Sequence, residues 1–289
     1  NRTIYTLENC ELNLFETYQT SELVPLKFND LVVTSMLRGK KIMHLFGEPG
    51  FEYLPGESVI IPANALMEID FPEAREGNPT QCLALAIDYH KINSILDFLN
   101  EKYPKENRSD FWQLDAHNYF FYNHEELALT INKLIHICQS TTLTKDVMAD
   151  LTLQELLIRI IQSQTLQALE TQEVADKNPQ LAQVISLIRK HIGDRVDLKT
   201  IAREAGMSSA SLYRLVKREL GISPVELVLS EKIKLAKQLL KDHRMYVKNV
   251  SFEAGFEDCN YFIRVFKHFE GITPGQYQQL HNKEQQHLS

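Results

Sequence analysis

Two stretches in the last third of the chain nearly repeat each other and decide its fold: Ile201–Pro224, IAREAGMSSASLYRLVKRELGISP, and Val250–Pro274, VSFEAGFEDCNYFIRVFKHFEGITP. After one extra residue in the second copy, five positions correspond. They are Leu212, Arg214, Lys217, Gly221 and Pro224 in the first copy and Phe262, Arg264, Lys267, Gly271 and Pro274 in the second. A repeat of this kind indicates two copies of one supersecondary unit.

Each copy contains the parts of a helix-turn-helix. A short helical segment is followed by Gly206 or Gly255, a residue type that tolerates the positive φ of a tight turn. Ser208 and Asp258 then stand where a side-chain oxygen can cap a second helix. The chain is therefore predicted to form two helix-turn-helix units. The core-facing residues of their second helices would be Leu212, Leu215 and Val216, and Phe262, Val265 and Phe266.

The outward-facing positions of these second helices form a candidate DNA-binding set. They are Ser209, Ala210, Tyr213, Arg214 and Lys217, then Cys259, Asn260, Ile263, Arg264 and Lys267. A recognition helix presents such residues to the major groove, where Arg bridges guanine acceptors, so Arg214 and Arg264 are predicted to read bases. Lys217 and Lys267 are predicted to approach phosphates. The same Arg and Lys offsets in both copies argue against chance solvated charges.

The segment between the copies, PVELVLSEKIKLAKQLLKDH, predicts one long helix. Leu229, Ile233, Ala236 and Leu240 fall along one of its faces. Such a helix would hold the two units at a fixed separation. Recognition helices on the same side of a duplex would then reach successive major grooves, about 34 Å apart.

Charge is distributed unevenly along the chain. The total is −7, but from Pro179 onward there are 17 Lys and Arg against 12 Asp and Glu, a net +5, which leaves −12 for the rest. A basic module joined to an acidic one suggests that only the C-terminal part meets a polyanion.

The chain before Tyr89 has the pattern of an antiparallel β region. From about Asn9, short apolar runs are separated by turn residues such as Pro55-Gly56-Glu57. The clearest runs are DLVVTSML, KIMHLF, ESVIIP, LMEIDF and CLALAIDY. Many short strands at this spacing favour a barrel or jelly roll.

Three segments of helical period follow: HKINSILDFLNEKY, EELALTINKLIHICQ and DVMADLTLQELLIRIIQSQTLQALETQ. The third carries an apolar stripe of Leu153, Leu156, Leu157, Ile160 and Ile161. The stripe either packs on its own β domain or forms a helix-helix seam in a homodimer. The polar residues after it, EVADKNPQ, are typical of a linker.

The C-terminal part resembles the AraC/XylS family of bacterial regulators. The residues that carry the resemblance are LAQVISLIRKHI, the first repeat, KIKLAKQLL and GFEDCNYFIRVFKHFEGITPGQY. The resemblance implies a seven-helix domain that binds promoter DNA, usually as an activator, with RNA polymerase as a further candidate partner. Ala210 and Ile263 depart from a polar recognition surface and favour contact with thymine methyls.

The N-terminal half resembles the cupin-type sensor domain of that family, through LRGKKIMHLFGEPGFEYLPGESVIIPANA. In related regulators this barrel holds a small effector and the following helices pair two subunits. Met36, Met43, Phe46, Met67 and Ile69 would line such a pocket, or fill a solid core if the barrel is only a dimerisation platform.

The predicted fold is therefore an α+β multidomain chain. Residues 1–172 form a cupin-like β-barrel with flanking helices that binds an effector or dimerises, residues 173–180 form a linker, and residues 181–289 form an all-α domain with two helix-turn-helix motifs joined by a long helix.

A metal-dependent cupin enzyme is the competing class. His44 and His90 are isolated in the sequence and no His-x-His lies in the β region. Nor is there a nucleophile elbow, a phosphate-binding loop or a dinucleotide fingerprint. We therefore expect no catalytic residue, metal site or cofactor.

The sequence also favours a cytoplasmic protein that does not enter a membrane. Cys10, Cys82, Cys138 and Cys259 have no metal-ligand spacing and are expected to be reduced thiols. No secretory signal is visible at the N-terminus, and no apolar run approaches the roughly 20 residues of a membrane span.

Overall fold

The computed structural model describes residues 1–104, 111–115, 119–168, 178–193 and 196–282. The chain divides into two compact units, Asn1–Gln164 and Thr165–Ser289. Residues 173–177 of the predicted linker lie outside the described residues. A helix begins at Pro179, so the last two residues of that linker are helical.

Ten strands and three helices form the described chain up to Ala168. The strands are β1 (Arg2–Thr6), β2 (Cys10–Thr17), β3 (Ser21–Lys27), β4 (Leu31–Arg38), β5 (Lys41–Leu45), β6 (Phe51–Tyr53), β7 (Glu57–Ile61), β8 (Leu66–Phe71), β9 (Thr80–Ile87) and β10 (Phe120–Tyr122). The helices are α1 (Tyr89–Lys102), α2 (Glu125–Gln139) and α3 (Lys145–Ala168).

The strands form two antiparallel sheets, which do not close into the predicted barrel. The larger sheet has the order β1-β2-β9-β4-β7-β10 and the smaller one β3-β8-β5-β6. Both sheets have open edges among the described residues, and three of the four outer strands are short or irregular. β6 and β10 have three residues each. β3 has a register shift between Ser21 and Val24 and contains Pro25, which lacks a backbone donor.

The larger sheet is covered on both faces, which explains its continuously apolar strands. Side chains alternate along a strand, so Val32 and Cys82 face the smaller sheet while Val33 and Leu83 face the helices. The unit therefore has three layers: the small sheet, the large sheet and the helices α1 to α3.

The stripe on α3 belongs to this core. Leu153, Leu156, Leu157, Ile160 and Ile161 are each 2% exposed or less and pack in the cluster that covers the large sheet. Because these side chains face their own unit, they cannot form the surface of a homodimer seam, and that interpretation of the stripe is corrected.

Seven helices make up the described part of the second unit. They are α4 (Pro179–Lys190), α5 (Leu198–Glu204), α6 (Ser209–Leu220), α7 (Pro224–Leu240), α8 (Val247–Glu253), α9 (Cys259–Glu270) and α10 (Pro274–Asn282). α5 and α6 form the first helix-turn-helix, α8 and α9 form the second, and α7 connects them.

The two helix-turn-helix units have different cores. The first packs aliphatic residues of α4 to α7, among them Ile201, Leu212 and Val216. The second is aromatic: the ring centroids of Phe262 and Phe266 lie 5.7 Å apart, and those of Phe266 and Tyr277 lie 5.5 Å apart. Tyr277 belongs to α10, so the last helix takes part in this core.

Buried ion pairs fix α7 to its neighbours. Glu231 of α7 accepts from Arg189 of α4 at 2.6 Å and also pairs with Lys234 at 3.2 Å. Burial raises the pKa of the Glu231 carboxyl, but Lys234 and Arg189 outweigh it, so the pKa lies below its ordinary value. Lys237 of α7 pairs with Glu270 of α9 at 2.7 Å, and both side chains are 5% exposed or less.

Glu231→Gln should destabilise the second unit. The variant leaves Arg189 and Lys234 without their carboxylate, a loss of about 2 kcal/mol in the free energy of unfolding at pH 7. Because the folded pKa is depressed, the wild-type carboxylate contributes stability above the unfolded pKa of about 4.3 and loses it as the pH falls through the folded pKa. The variant should lack this part of the acid dependence.

Urea unfolding of the helical signal by circular dichroism at pH 7 and at lower pH measures both effects. Glu253→Gln, the same change at an exposed position of α8, is the control and should leave the transition unchanged. Equal stability of Glu231→Gln and the control at pH 7 would show that the pair does not hold α7.

Candidate nucleic-acid interface

The turn of each helix-turn-helix is built in the same way. Gly206 and Gly255 have φ of 69° and 78°, values that a side chain disfavours. The next residue closes the turn: Met207 N donates to Ala202 O and Phe256 N to Ser251 O, both at 2.9 Å. Two sequences that differ at most positions thus form one turn geometry.

The second helix of each unit begins at a side-chain cap. Ser208 Oγ accepts from the backbone N–H of Ser211 at 3.1 Å, and Asp258 Oδ1 accepts from that of Tyr261 at 2.5 Å. These bonds satisfy backbone donors that a helix start leaves free. They also set where the exposed face of α6 and of α9 begins.

The structure places the predicted DNA-binding residues mainly on exposed faces of α6 and α9. The exposed ones are Ser209, Ala210, Tyr213, Arg214, Lys217, Asn260, Arg264 and Lys267, and the half-buried ones are Cys259 and Ile263. Leu212, Leu215 and Val216 are buried behind the first set, and Phe262 and Phe266 behind the second. Val265 is only half-buried.

Charge on these faces is not neutralised. Within the described ranges, no carboxylate lies within 4.0 Å of Arg214 or Arg264, or of Lys217 or Lys267. Arg244, by contrast, is paired with Asp242 at 3.0 Å. Both faces therefore offer guanidinium and ammonium groups that are free to meet acceptors and anions.

A lysine of α7 holds the second turn, which the sequence did not predict. Lys232 Nζ donates to Gly255 O and lies 5.3 Å from the ring centroid of Phe256. Burial lowers the pKa of this ammonium group and outweighs the nearby Glu257, which acts in the opposite direction. Because the acceptor is a backbone carbonyl 23 residues away, no residue pattern could have identified the contact.

The first unit contains a cavity of about 320 Å³ between its two sheets. Of the predicted pocket residues, Met43, Met67 and Ile69 line it. Met36 is buried in the same core without lining the cavity. Phe46 is instead about half exposed, with its ring centroid 5.3 Å from that of Tyr119, because the turn after β5 directs it away from the sheets.

Lys41 and Tyr53 also line this cavity, and sequence reasoning missed them. Because Lys41 follows Lys40, the two adjacent lysines suggested a solvent-exposed turn. The alternation along β5, which buries Lys41, Met43 and Leu45 together, is the signal that could have identified it.

The described part of the chain holds no group of three His, Cys, Asp or Glu residues placed to bind a metal ion. His44 Nε2 is 2.9 Å from Asp70 Oδ2 across neighbouring strands, and His90 is exposed at the start of α1. None of the described helices is both long and apolar enough to cross a membrane.

Comparisons with known proteins identify both units. Residues 10–168, more than half of the chain, match the family model of the AraC-type transcriptional regulator N-terminus. Residues 201–280 match a helix-turn-helix domain model.

Individual relatives agree with these matches. The uncharacterized HTH-type transcriptional regulator YdeC of Bacillus subtilis is 22% identical over 262 residues, 90% of this chain and 87% of that protein. The arabinose operon regulatory protein of Escherichia coli is 34% identical over 91 residues, 31% of either protein. A structure of ToxT from Vibrio cholerae matches 94% of this chain and 99% of its own, with 14% identity and a TM-score of 0.39. The chain belongs to the AraC family of DNA-binding transcriptional regulators.

Proposed function

We propose that this regulator reads promoter DNA with both α6 and α9, and that the cavity of its N-terminal unit binds a small-molecule effector. The observation that carries the first part is the matched exposure of Arg214 and Arg264, each one and a half turns into a capped helix and free of a carboxylate partner. Arg in that position can form two hydrogen bonds with one guanine.

The remaining charges on these helices support binding of the backbone. Lys217 and Lys267 lie three residues beyond the two arginines and are also exposed. Ammonium groups at that distance along a recognition helix suit phosphates on the wall of the groove. The apolar Ile263, which is half-buried, suits contact with a thymine methyl group.

The length of α7 supports binding to successive grooves. Its 17 residues span about 26 Å, and it contacts α6 directly and α9 through the pair of Lys237 and Glu270. A rigid connection of this length suits recognition helices that meet grooves about 34 Å apart. The sign of regulation implied by the family resemblance is activation, with RNA polymerase as the protein partner.

The cavity between the sheets is the proposed effector site. Its volume of about 320 Å³ falls at the lower end of the range of small-molecule pockets, roughly 300–1,000 Å³. Its walls are mainly apolar with a few polar groups, which is the composition of a ligand site rather than of a dimerisation surface.

The homodimer that we propose uses a different face of α3 from the one first predicted. Val147, Met148 and Leu151 are between 42% and 63% exposed and lie within little more than one turn of α3. Exposed apolar side chains at helical spacing favour pairing with a second copy of the same helix.

Arg214→Ala and Arg264→Ala should each weaken binding to the recognised sequence about 10- to 100-fold, because each removes a bidentate base contact. Binding to random duplex should change little. Fragments selected from a random DNA pool, followed by fluorescence anisotropy with selected and scrambled duplexes, give both affinities.

Lys217→Ala should weaken binding to both duplexes alike and reduce the salt dependence of the affinity by about one ion.

Arg218→Ala is the matched control on α6, since that arginine is paired with Glu219 at 2.7 Å. It should keep the sequence preference of the wild type. Full sequence preference in the double variant Arg214→Ala, Arg264→Ala would contradict the proposed base contacts.

Val147→Asp combined with Leu151→Asp should convert the dimer into a monomer, because the charges would be buried without partners at the seam. Sedimentation velocity of the full chain measures the mass of the particle. Leu143→Asp, a change at an exposed residue that precedes α3, is the control. A dimer that persists in the folded double variant would remove this face from the interface.

A further inference from the structure

The cavity between the sheets has an uneven charge. Among the residues that line it, Arg2 and Lys41 are basic and none is Asp or Glu. The wall is otherwise mainly apolar and includes Phe15, Met43, Met67, Ile69 and Phe71. A ligand that fills the cavity would therefore meet hydrocarbon over most of its surface, and the charged side chains that it meets would all be basic.

Lys41 is the unusual group in this wall. It is 5% exposed, and its Nζ donates to Cys82 Sγ at 2.6 Å and lies 5.2 Å from the ring centroid of Phe71. No carboxylate of the described chain lies within 4.0 Å of that nitrogen. A thiol and an aromatic ring are weak partners for a buried ammonium group.

Unlike Lys41, the neighbouring basic residues have carboxylate partners within the described chain. Lys40, next to it in the chain, forms an ion pair with Glu52. Arg2, the other basic residue of the wall, pairs with Glu11 at 3.1 Å. Burial of a charge costs free energy unless a counter-charge accompanies it. A negatively charged ligand in this cavity would supply the counter-charge that Lys41 lacks among the described residues.

We propose that the effector is an amphipathic anion whose carboxylate binds Lys41 Nζ and whose apolar body fills the space between the sheets. This inference rests on the proposed effector function of the cavity. Tyr53 is the cross-strand partner of Lys41, and its hydroxyl, 2.9 Å from Thr34 Oγ1, lies in the same wall. When Thr34 donates in that pair, the Tyr53 hydroxyl keeps its own proton and is a second donor for the carboxylate.

The cavity volume sets the size of the ligand. An apolar cavity of about 150 Å³ holds one benzene molecule of six carbon atoms. The cavity here, about 320 Å³, therefore accommodates roughly twelve non-hydrogen atoms at the same density. Decanoate, with ten carbon and two oxygen atoms, is the probe of matching size, and methyl decanoate is its neutral counterpart.

Isothermal titration calorimetry of the full chain without DNA, at pH 7, tests the inference. Decanoate should bind at least about 10-fold more tightly than methyl decanoate, because only the acid forms a charge-assisted hydrogen bond with Lys41. Lys41→Met should weaken decanoate binding by about 10- to 100-fold and leave the ester unaffected. Lys27→Met, the same change at an exposed position of β3, should alter neither.

Three results would overturn the inference: equal affinity of the wild type for acid and ester, unchanged decanoate affinity in Lys41→Met, or no binding of either probe to the folded chain. If circular dichroism shows that Lys41→Met is unfolded, the comparison of acid and ester on the wild type decides. The assay contains no DNA, so it tests the ligand class separately from DNA binding. A protein that binds decanoate but has no preference for any DNA sequence would contradict the proposed DNA-binding function and would leave this ligand class supported.

Discussion

The second unit depends on the fixed position of α7, since both helix-turn-helix units are attached to it. At its start, Ser223 and Glu226 form a reciprocal cap, and further along Glu231 is held by α4 while Lys237 is held by α9. A buried ion pair contributes little net stability compared with apolar packing, but a displaced partner leaves an uncompensated charge. The pairs therefore specify one arrangement of the two recognition helices, which sequence-specific binding requires.

The first unit follows from a different constraint, the two-residue period of strands that are buried on both faces. One set of side chains packs against α1 to α3 and fills its layer with Leu and Ile. The other set faces the small sheet and includes Cys82, Ala84 and Ala86, which are small. Short side chains on one sheet leave space opposite the larger Met43, Met67 and Ile69, and the cavity occupies that space. The helical unit and the unit with the cavity are therefore shaped by separate packing constraints.

Local patterns predicted most elements well. α2 begins and ends where the helical period placed it, and the caps at Ser208 and Asp258 follow from residue type and spacing. Open sheet edges could not be predicted, because closure depends on which distant strands pair. The α3 stripe shows the same limit: its period marks a buried face, but the residues that bury it, such as Leu83 and Leu127, lie far away in the sequence. The contact of Lys41 with Cys82 spans 41 residues and was equally inaccessible.

Changing the spacing of the recognised DNA tests the central claim most directly. On a duplex selected by the protein, footprinting should show two protected major-groove segments. Two base pairs inserted between these segments rotate and shift one segment relative to the other. Because α7 fixes the recognition helices, affinity measured by fluorescence anisotropy should fall at least as far as it does in Arg264→Ala, which loses only one base contact of the second helix. An affinity that is unchanged by the insertion would show that the two helices do not read the duplex as one rigid unit.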